Sequence, residues 1–290
     1  MENTPDFKCV IDNEDEIPEE AVKNTGISFP EVHYNGEDMS RLARAIRIYN
    51  KDTISMVPFC MTVEAEALGA DINMGDMKRG PRVSNYIFKN IEDFKKIEHI
   101  DLSKKRISQV LKAVNILSSS GEQTALAVQG PFTIMSSLMD PRTFYKAVRK
   151  DTTVVDDFME VIIDSIVTFV EAGVKNGARI ISFGDSAGTL DILGPRIYKN
   201  YSGRYSYEVL KKIYPKLQDA IVHFCGITSN SMDRGGFLTS EPIEVKSGIT
   251  YGEALNDIMK NRKDIKIVGH NCLRKTPTKM KTPIVWKINL

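Results

Sequence analysis

Ala220-Ile221-Val222-His223-Phe224-Cys225-Gly226 and Ile265-Lys266-Ile267-Val268-Gly269-His270-Asn271-Cys272 decide how this chain is read. Each is a short apolar run that ends in soft metal ligands beside a glycine, the pattern of a buried β-strand with chemistry at its carboxyl end. Along a strand, residues i and i+2 point to one side, so His223 and Cys225 aim at the same place. A second strand ending at Cys272 can bring another thiol there. One imidazole and two thiolates form the donor set of a zinc site that keeps a position open for a guest. Against this stands a plain alternative, in which His-x-Cys is a chance pairing and a buried Cys is a small apolar residue. His270 fits a hydrogen-bonded histidine beside the site better than a ligand.

Outward from these phrases, strands and helices alternate. Helices are expected over 36–49, 63–68, 91–97, 107–117, 207–217 and 252–259, with a long amphipathic pair over 144–174. Strands are expected over 53–59, 124–129, 179–184, 220–225, 236–239, 265–269 and 284–288. Alternation of this kind predicts a parallel sheet. Gly184-Asp185, Cys225-Gly226 and Gly269-His270 all fall at strand carboxyl ends, the rim that carries the active site of a TIM barrel. An open doubly wound sheet would also gather its ligand there. No Gly-x-Gly-x-x-Gly turn follows a strand and no Walker A loop is present, which disfavours dinucleotide and nucleoside triphosphate chemistry. The expected organisation is a polar leader over 1–36 and one domain over 37–290.

The composition narrows the function classes. The chain has 290 residues, 42% of them hydrophobic, with a formal net charge of +1. Basic and acidic residues are interspersed, which argues against a nucleic-acid surface. No apolar run approaches the roughly 20 residues of a membrane span. The acidic start Met1-Glu2-Asn3-Thr4-Pro5-Asp6 is not a secretory signal, and the four cysteines are too sparse for a disulfide scaffold, so the expected setting is cytoplasmic, with thiols reduced.

Three further carboxylates are candidates. Glu241 follows the 236–239 strand, which in a barrel of sequential strands would stand between the His-x-Cys strand and the Cys272 strand. There it could complete a zinc shell, or it could be an ordinary helix-start acid beside Pro242. Asp185 is either a polar contact to substrate or to a ligand histidine, or a cap on the next helix. Glu64 and Glu66 cannot both be buried cheaply, and Glu64 is the one expected to face the pocket.

Pro58-Phe59-Cys60-Met61-Thr62-Val63-Glu64-Ala65-Glu66-Ala67-Leu68-Gly69, Gln129-Gly130-Pro131-Phe132-Thr133, Phe183-Gly184-Asp185-Ser186-Ala187-Gly188, His223-x-Cys225-Gly226 and the late Cys272 together resemble the uroporphyrinogen decarboxylase superfamily. They look most like its zinc- and corrinoid-dependent methyltransferase branch, typified by methylcobamide:coenzyme M methyltransferases. The resemblance runs from about residue 38 to the end. It implies a (β/α)8 TIM barrel and zinc on His223, Cys225 and Cys272. It also implies methyl transfer between a corrinoid protein carrying methylcobalamin and a small substrate: a thiol such as coenzyme M, or a methyl ether or methylamine donor. Glu241 and Asp185 are then the catalytic candidates, and Phe59, Cys60, Glu64 and His270 the substrate-binding ones.

Three departures qualify the resemblance. The arginine-rich N-terminal signature with which the decarboxylases grip substrate carboxylates is missing, and their aspartate after the first strand falls at Cys60. Both argue against a metal-free decarboxylase, the first alternative. A non-catalytic zinc-stabilised subunit that binds a corrinoid protein is the second. The interval from Cys225 to Cys272 is also shorter than the branch leads one to expect, by roughly one strand–helix unit, so the last βα unit is expected to be missing or altered, with the 284–288 strand closing the barrel.

Overall fold

The computed structural model describes residues 17–23 and 25–290. The expected leader therefore lies partly outside the described residues. Its described part includes a short helix, Glu19–Val22, and a 3-10 turn, Glu31–Tyr34, both packed on helix Gly36–Tyr49. Val32 and His33 are buried there.

The strands are β1 (Ile54–Val57), β2 (Asp71–Asn73), β3 (Arg82–Asn85), β4 (Gln123–Gln129), β5 (Ile180–Gly184), β6 (Ile221–Cys225), β7 (Thr239–Glu244), β8 (Ile267–Asn271) and β9 (Ile284–Asn289). Seven form one sheet in the order β1-β4-β5-β6-β8-β9-β7, while β2 and β3 make a separate antiparallel pair. Neighbours from β1 through β8 run parallel. β9 is antiparallel to β8 and to β7. Among the described residues β1 and β7 do not pair with each other, so the sheet ends at two edges where a (β/α)8 barrel would close.

The alternation of side chains along each strand divides the core in two. Val57, Leu126, Val128, Ile181, Phe183, Val222 and Phe224 face the larger core, built with helices Lys105–Ser119, Thr152–Lys175 and Gly203–Ile213. Ile54, Ala125, Ile180, Ile221 and Val268 face a smaller core, filled by Tyr251, Ala254, Leu255 and Ile258 of helix Tyr251–Asn261. That helix starts at a capping box, with Thr250 Oγ1 accepting from the Glu253 amide and the Glu253 carboxylate accepting from the Thr250 amide. One helix thus lies across the face that a closed barrel turns toward its axis.

Two expectations are corrected here. The strand expected at 236–239 lies at 239–244, and it does not insert between the His-x-Cys strand and the Cys272 strand: β6 pairs directly with β8. β7 is the far edge, beyond β9. Pro242 has no amide hydrogen to give a central ladder, and Thr239, Glu241, Pro242 and Glu244 are exposed, all of which suits an edge.

Candidate functional site

His223 lies on β6, where its register partners are Ser182 of β5 and Val268 of β8. Shared register places it on the side covered by helix Tyr251–Asn261. Its ring is fully buried and makes an edge contact with the ring of Tyr251, at a centroid distance of 5.7 Å. Neither ring nitrogen has a hydrogen-bond partner, and neither does the Tyr251 hydroxyl. Burial holds the His223 pKa down at about 4, so the ring is neutral at pH 7 with a lone pair available. For a histidine this arrangement is unusual, because buried polar atoms are nearly always satisfied.

Cys225 closes β6 and Cys272 directly follows β8, both half-buried. Cys225 is in register with Asn271, one residue before Cys272, across an irregularity between His223 and Cys225. Gly184 on β5 leaves room for Cys225: a Cβ at residue 184 would stand 3.1 Å from the Cys225 Cβ. Burial raises the Tyr251 phenol pKa, and Cys272 lies near enough to add to it. The donor types fit zinc, and an orphaned buried imidazole is the sort of group a metal satisfies. Among the described residues no group of three His, Cys, Asp or Glu side chains stands close enough to hold an ion.

The other candidates divide. His270 has both ring nitrogens engaged, Nδ1 with Ser229 Oγ at 3.2 Å and Nε2 with Ser240 Oγ at 2.6 Å. Its backbone is left-handed, at φ 57°, and its amide donates to the same Ser229. It therefore ties helix Gly226–Arg234, β7 and β8 together. Glu241 accepts from Asn289 Nδ2 at 2.9 Å and faces Lys287, out on the edge strand and well away from His223 in the strand order.

Asp185 is fully buried. Its carboxylate accepts from the amides of Phe132 and Thr133 and from the hydroxyls of Thr133 and Ser206. It caps a helix after all, but the one that follows β4, Pro131–Leu138, rather than the next in sequence. Its amide donates to Thr228 Oγ1, which fixes the end of β5 against the helix that leaves β6.

Glu64 is buried at the start of helix Val63–Ala67 and accepts from the Gln129 amide at 2.8 Å. Desolvation lifts its pKa to about 7. A carboxyl whose folded pKa is raised contributes stability that is fully present below about 4.5 and is lost as pH rises through about 7. At 1.36 kcal/mol per pKa unit, the loss is about 3 kcal/mol. Glu64→Gln keeps the acceptor for Gln129 and removes the titration, so its unfolding free energy should stay nearly level where the wild type's declines. Urea unfolding at pH 5 and pH 8 checks this; parallel pH slopes for the two proteins would refute it.

One important residue has no sequence signal. Arg106, 1% exposed, binds the loop after β1 with three donors. Nε reaches Glu66 Oε2 at 2.7 Å, Nη1 reaches Cys60 Sγ at 3.2 Å and Nη2 reaches Thr62 Oγ1 at 2.8 Å. Cys60 is thus placed by a cation. Phe59 lines a cavity of about 720 Å³ along the unpaired edge of β1, with Ile54, Met56, Arg47 and Leu273. That volume suits a small-molecule ligand. Leu273 directly follows Cys272, so the cavity adjoins the end of β8.

The profile of the family described as uroporphyrinogen decarboxylase (URO-D) matches residues 15–273. The methylcobamide:CoM methyltransferase MtbA of Methanosarcina mazei is 30% identical over 223 residues, which is 75% of this chain and 66% of that protein. MtaA of Methanosarcina barkeri, with the same description, is 26% identical over 263 residues, 87% of this chain and 74% of the relative. A solved structure described as a methyltransferase from Methanosarcina mazei superposes with a TM-score of 0.64 at 24% identity, over 75% of this chain and 64% of that one, a likeness of fold. The chain spans about two thirds (66%) of the length of MtbA. No helix among the described residues is long and apolar enough to cross a membrane.

Proposed function

Since the chain belongs to the uroporphyrinogen decarboxylase (URO-D) family, whose TIM-barrel α/β architecture its mostly parallel sheet follows, we propose that it is a zinc-dependent methyltransferase acting between a methylated corrinoid and a small thiol. The observation that carries this is His223: a buried neutral imidazole with two unpartnered nitrogens, on a strand whose end bears Cys225 and whose direct neighbour leads into Cys272. The second support is the likeness to methylcobamide:CoM methyltransferases. His223, Cys225 and Cys272 would hold the metal. When bound, zinc supplies a Lewis acid that keeps a coordinated thiol ionised at neutral pH.

The chain's own residues supply the rest. Burial keeps His223 uncharged, so it offers a lone pair without first losing a proton. Gly184 makes the space in which Cys225 stands. Asp185 pins the strand ends and is a positioning residue. Arg106 fixes the loop at Cys60, the residue after the cavity-lining Phe59. Glu64, buried and accepting from the Gln129 amide, holds the start of its helix against the end of β4. Glu241, on the far edge, takes no part. In the reaction the thiolate lone pair forms the new sulfur–carbon bond as the carbon–cobalt bond breaks. The electron pair of that bond stays on cobalt, which goes from Co(III) to Co(I), and the thiol proton leaves to solvent.

The partner is a corrinoid protein that presents cobalt at the strand ends. The test mixes purified protein, methylcobalamin and a panel of thiols and methyl ethers and follows the cobalt spectrum. Thiol-dependent conversion of methylcobalamin to cob(I)alamin is the expected result. An unchanged spectrum with every thiol, in protein shown to contain zinc, rules the proposal out.

A further inference from the structure

The cavity of about 720 Å³ lies along the edge of β1 that a closing barrel strand would cover. Asp52, Ile54 and Met56 line it, and their alternation along the chain turns all three to the same side. Ala43, Ile46 and Arg47 line it from one stripe of helix Gly36–Tyr49. Walls that are mostly apolar favour an apolar guest over water.

The polar groups on these walls set the end group of that guest. Asp52 is taken up by the protein itself. Its carboxylate accepts from the Thr53 amide at 2.7 Å, from the Ile54 amide at 3.3 Å and from the Thr276 hydroxyl at 2.6 Å. Little of its acceptor capacity is left for a cation. Arg47 is the reverse case. Its Nε donates at 3.1 Å to Glu122, a carboxylate that also receives Arg44 and the Ser55 hydroxyl. The two terminal nitrogens of Arg47 make no hydrogen bond among the described residues, and its side chain is only 27% exposed. Exposed Lys78 and exposed Glu19 also line the cavity and offset one another in solvent, while Arg274 adds a further cation. Free donors on a half-buried guanidinium, beside a carboxylate already bonded, call for an anion.

We propose that this cavity binds an amphipathic carboxylate, with a linear aliphatic body along β1 and its anionic end on the terminal nitrogens of Arg47. A planar guanidinium with two free nitrogens matches a carboxylate with two parallel hydrogen bonds. From Asp52 to Met56 the chain runs roughly 13 Å, a straight path that suits an extended alkyl chain. His223, Cys225 and Cys272 do not line the cavity. The site is therefore separate from the candidate metal centre and stands whether or not the methyltransferase reading does. An edge left open by an unclosed sheet becomes a ligand slot.

Calorimetric titration of the full chain with octanoate, decanoate and dodecanoate tests this, with decanol and decyltrimethylammonium as the uncharged and cationic counterparts. Each two added methylenes should tighten binding about tenfold, and decanoate should bind about tenfold or more tighter than decanol or the ammonium. Arg47→Met should weaken decanoate about tenfold or more and leave decanol within about twofold. Arg47 also holds Glu122, so a second variant guards against misfolding. Ile46→Trp fills the slot from the helix side, leaves Arg47 in place and should abolish binding of decanoate and decanol alike. If Arg47→Met does not fold, Ile46→Trp and the three end groups carry the test. Absence of decanoate binding, equal affinity for the three end groups, or decanoate binding that survives Ile46→Trp would each overturn the proposal. Parallel loss of decanoate and decanol in a folded Arg47→Met protein would also overturn it, by making Arg47 a support of the wall instead of the anion's partner.

Discussion

Cys225→Ala should purify without zinc and should lose at least about a hundredfold of its rate of methyl transfer to thiol. The scale follows from metal centres in general: loss of a group that only orients a ligand already costs about 10–100-fold in affinity or activity. Loss of a ligand itself costs no less. The substitution is also clean. Alanine keeps the Cβ that stands beside Gly184, and the residue is only half-buried, so little packing disappears with the sulfur. Thermal unfolding of the variant should match metal-free wild type within a few degrees, while zinc per chain drops from about one to below about a tenth under the site-loss argument. A metal-free Cys225→Ala protein that transfers methyl groups at the wild-type rate would show that the two strand-end thiols are bystanders.

The second large effect concerns Arg106. Arg106→Met keeps much of the side-chain volume and removes the charge. Glu66, Thr62 and Cys60 all lose a donor at once. Breaking a buried pair by removing one partner typically costs about 3–5 kcal/mol, because the remaining charge stays desolvated. For a chain of this size, that corresponds to a fall in melting temperature of about 10 °C. A signature of the charge itself goes with it. The Arg106 cation lowers the Glu64 pKa against the dominant effect of burial, so its removal pushes that pKa further up. Stability of the variant should therefore go on falling to a higher pH than in the wild type. Thermal melts across pH 5 to 9 measure both effects. A variant that melts within about 2 °C of wild type at every pH would show that the loop is held by its packing instead.

The sequence made some of this plain and hid the rest, for reasons that can be named. The strands at 221–225 and 267–271 were legible because an apolar, β-branched run with ligands at its end leaves few alternatives. The break between helices Pro141–Lys150 and Thr152–Lys175 is likewise local, since Asp151 ends one and caps the other. Helix Pro131–Leu138 also has a local signal, since a proline in the first turn starts helices as well as closing strands. The position of β7 is different. Nothing near Glu241 in the chain says that β9 will occupy the place beside β8, because that choice is made by contacts between distant segments.

Charged residues carry the same lesson. Arg106 opens a helix like any surface arginine, and its burial follows only from the loop after β1 folding onto it. Tyr251 reads as a helix-start aromatic. Its hydroxyl becomes notable only when His223 is found beside it with nothing bonded to either. The candidate ligands were thus legible one by one, while their surroundings were set by how an unclosed sheet takes a helix on its inner face.

X-ray absorption at the zinc edge of the purified wild-type protein bears most directly on the central claim. The account predicts stoichiometric zinc whose shell contains two sulfurs at about 2.3 Å and one imidazole nitrogen at about 2.0 Å, with a further sulfur appearing when a thiol substrate is added. Protein that is fully folded yet binds no zinc, or a shell made only of oxygen and nitrogen, would contradict it.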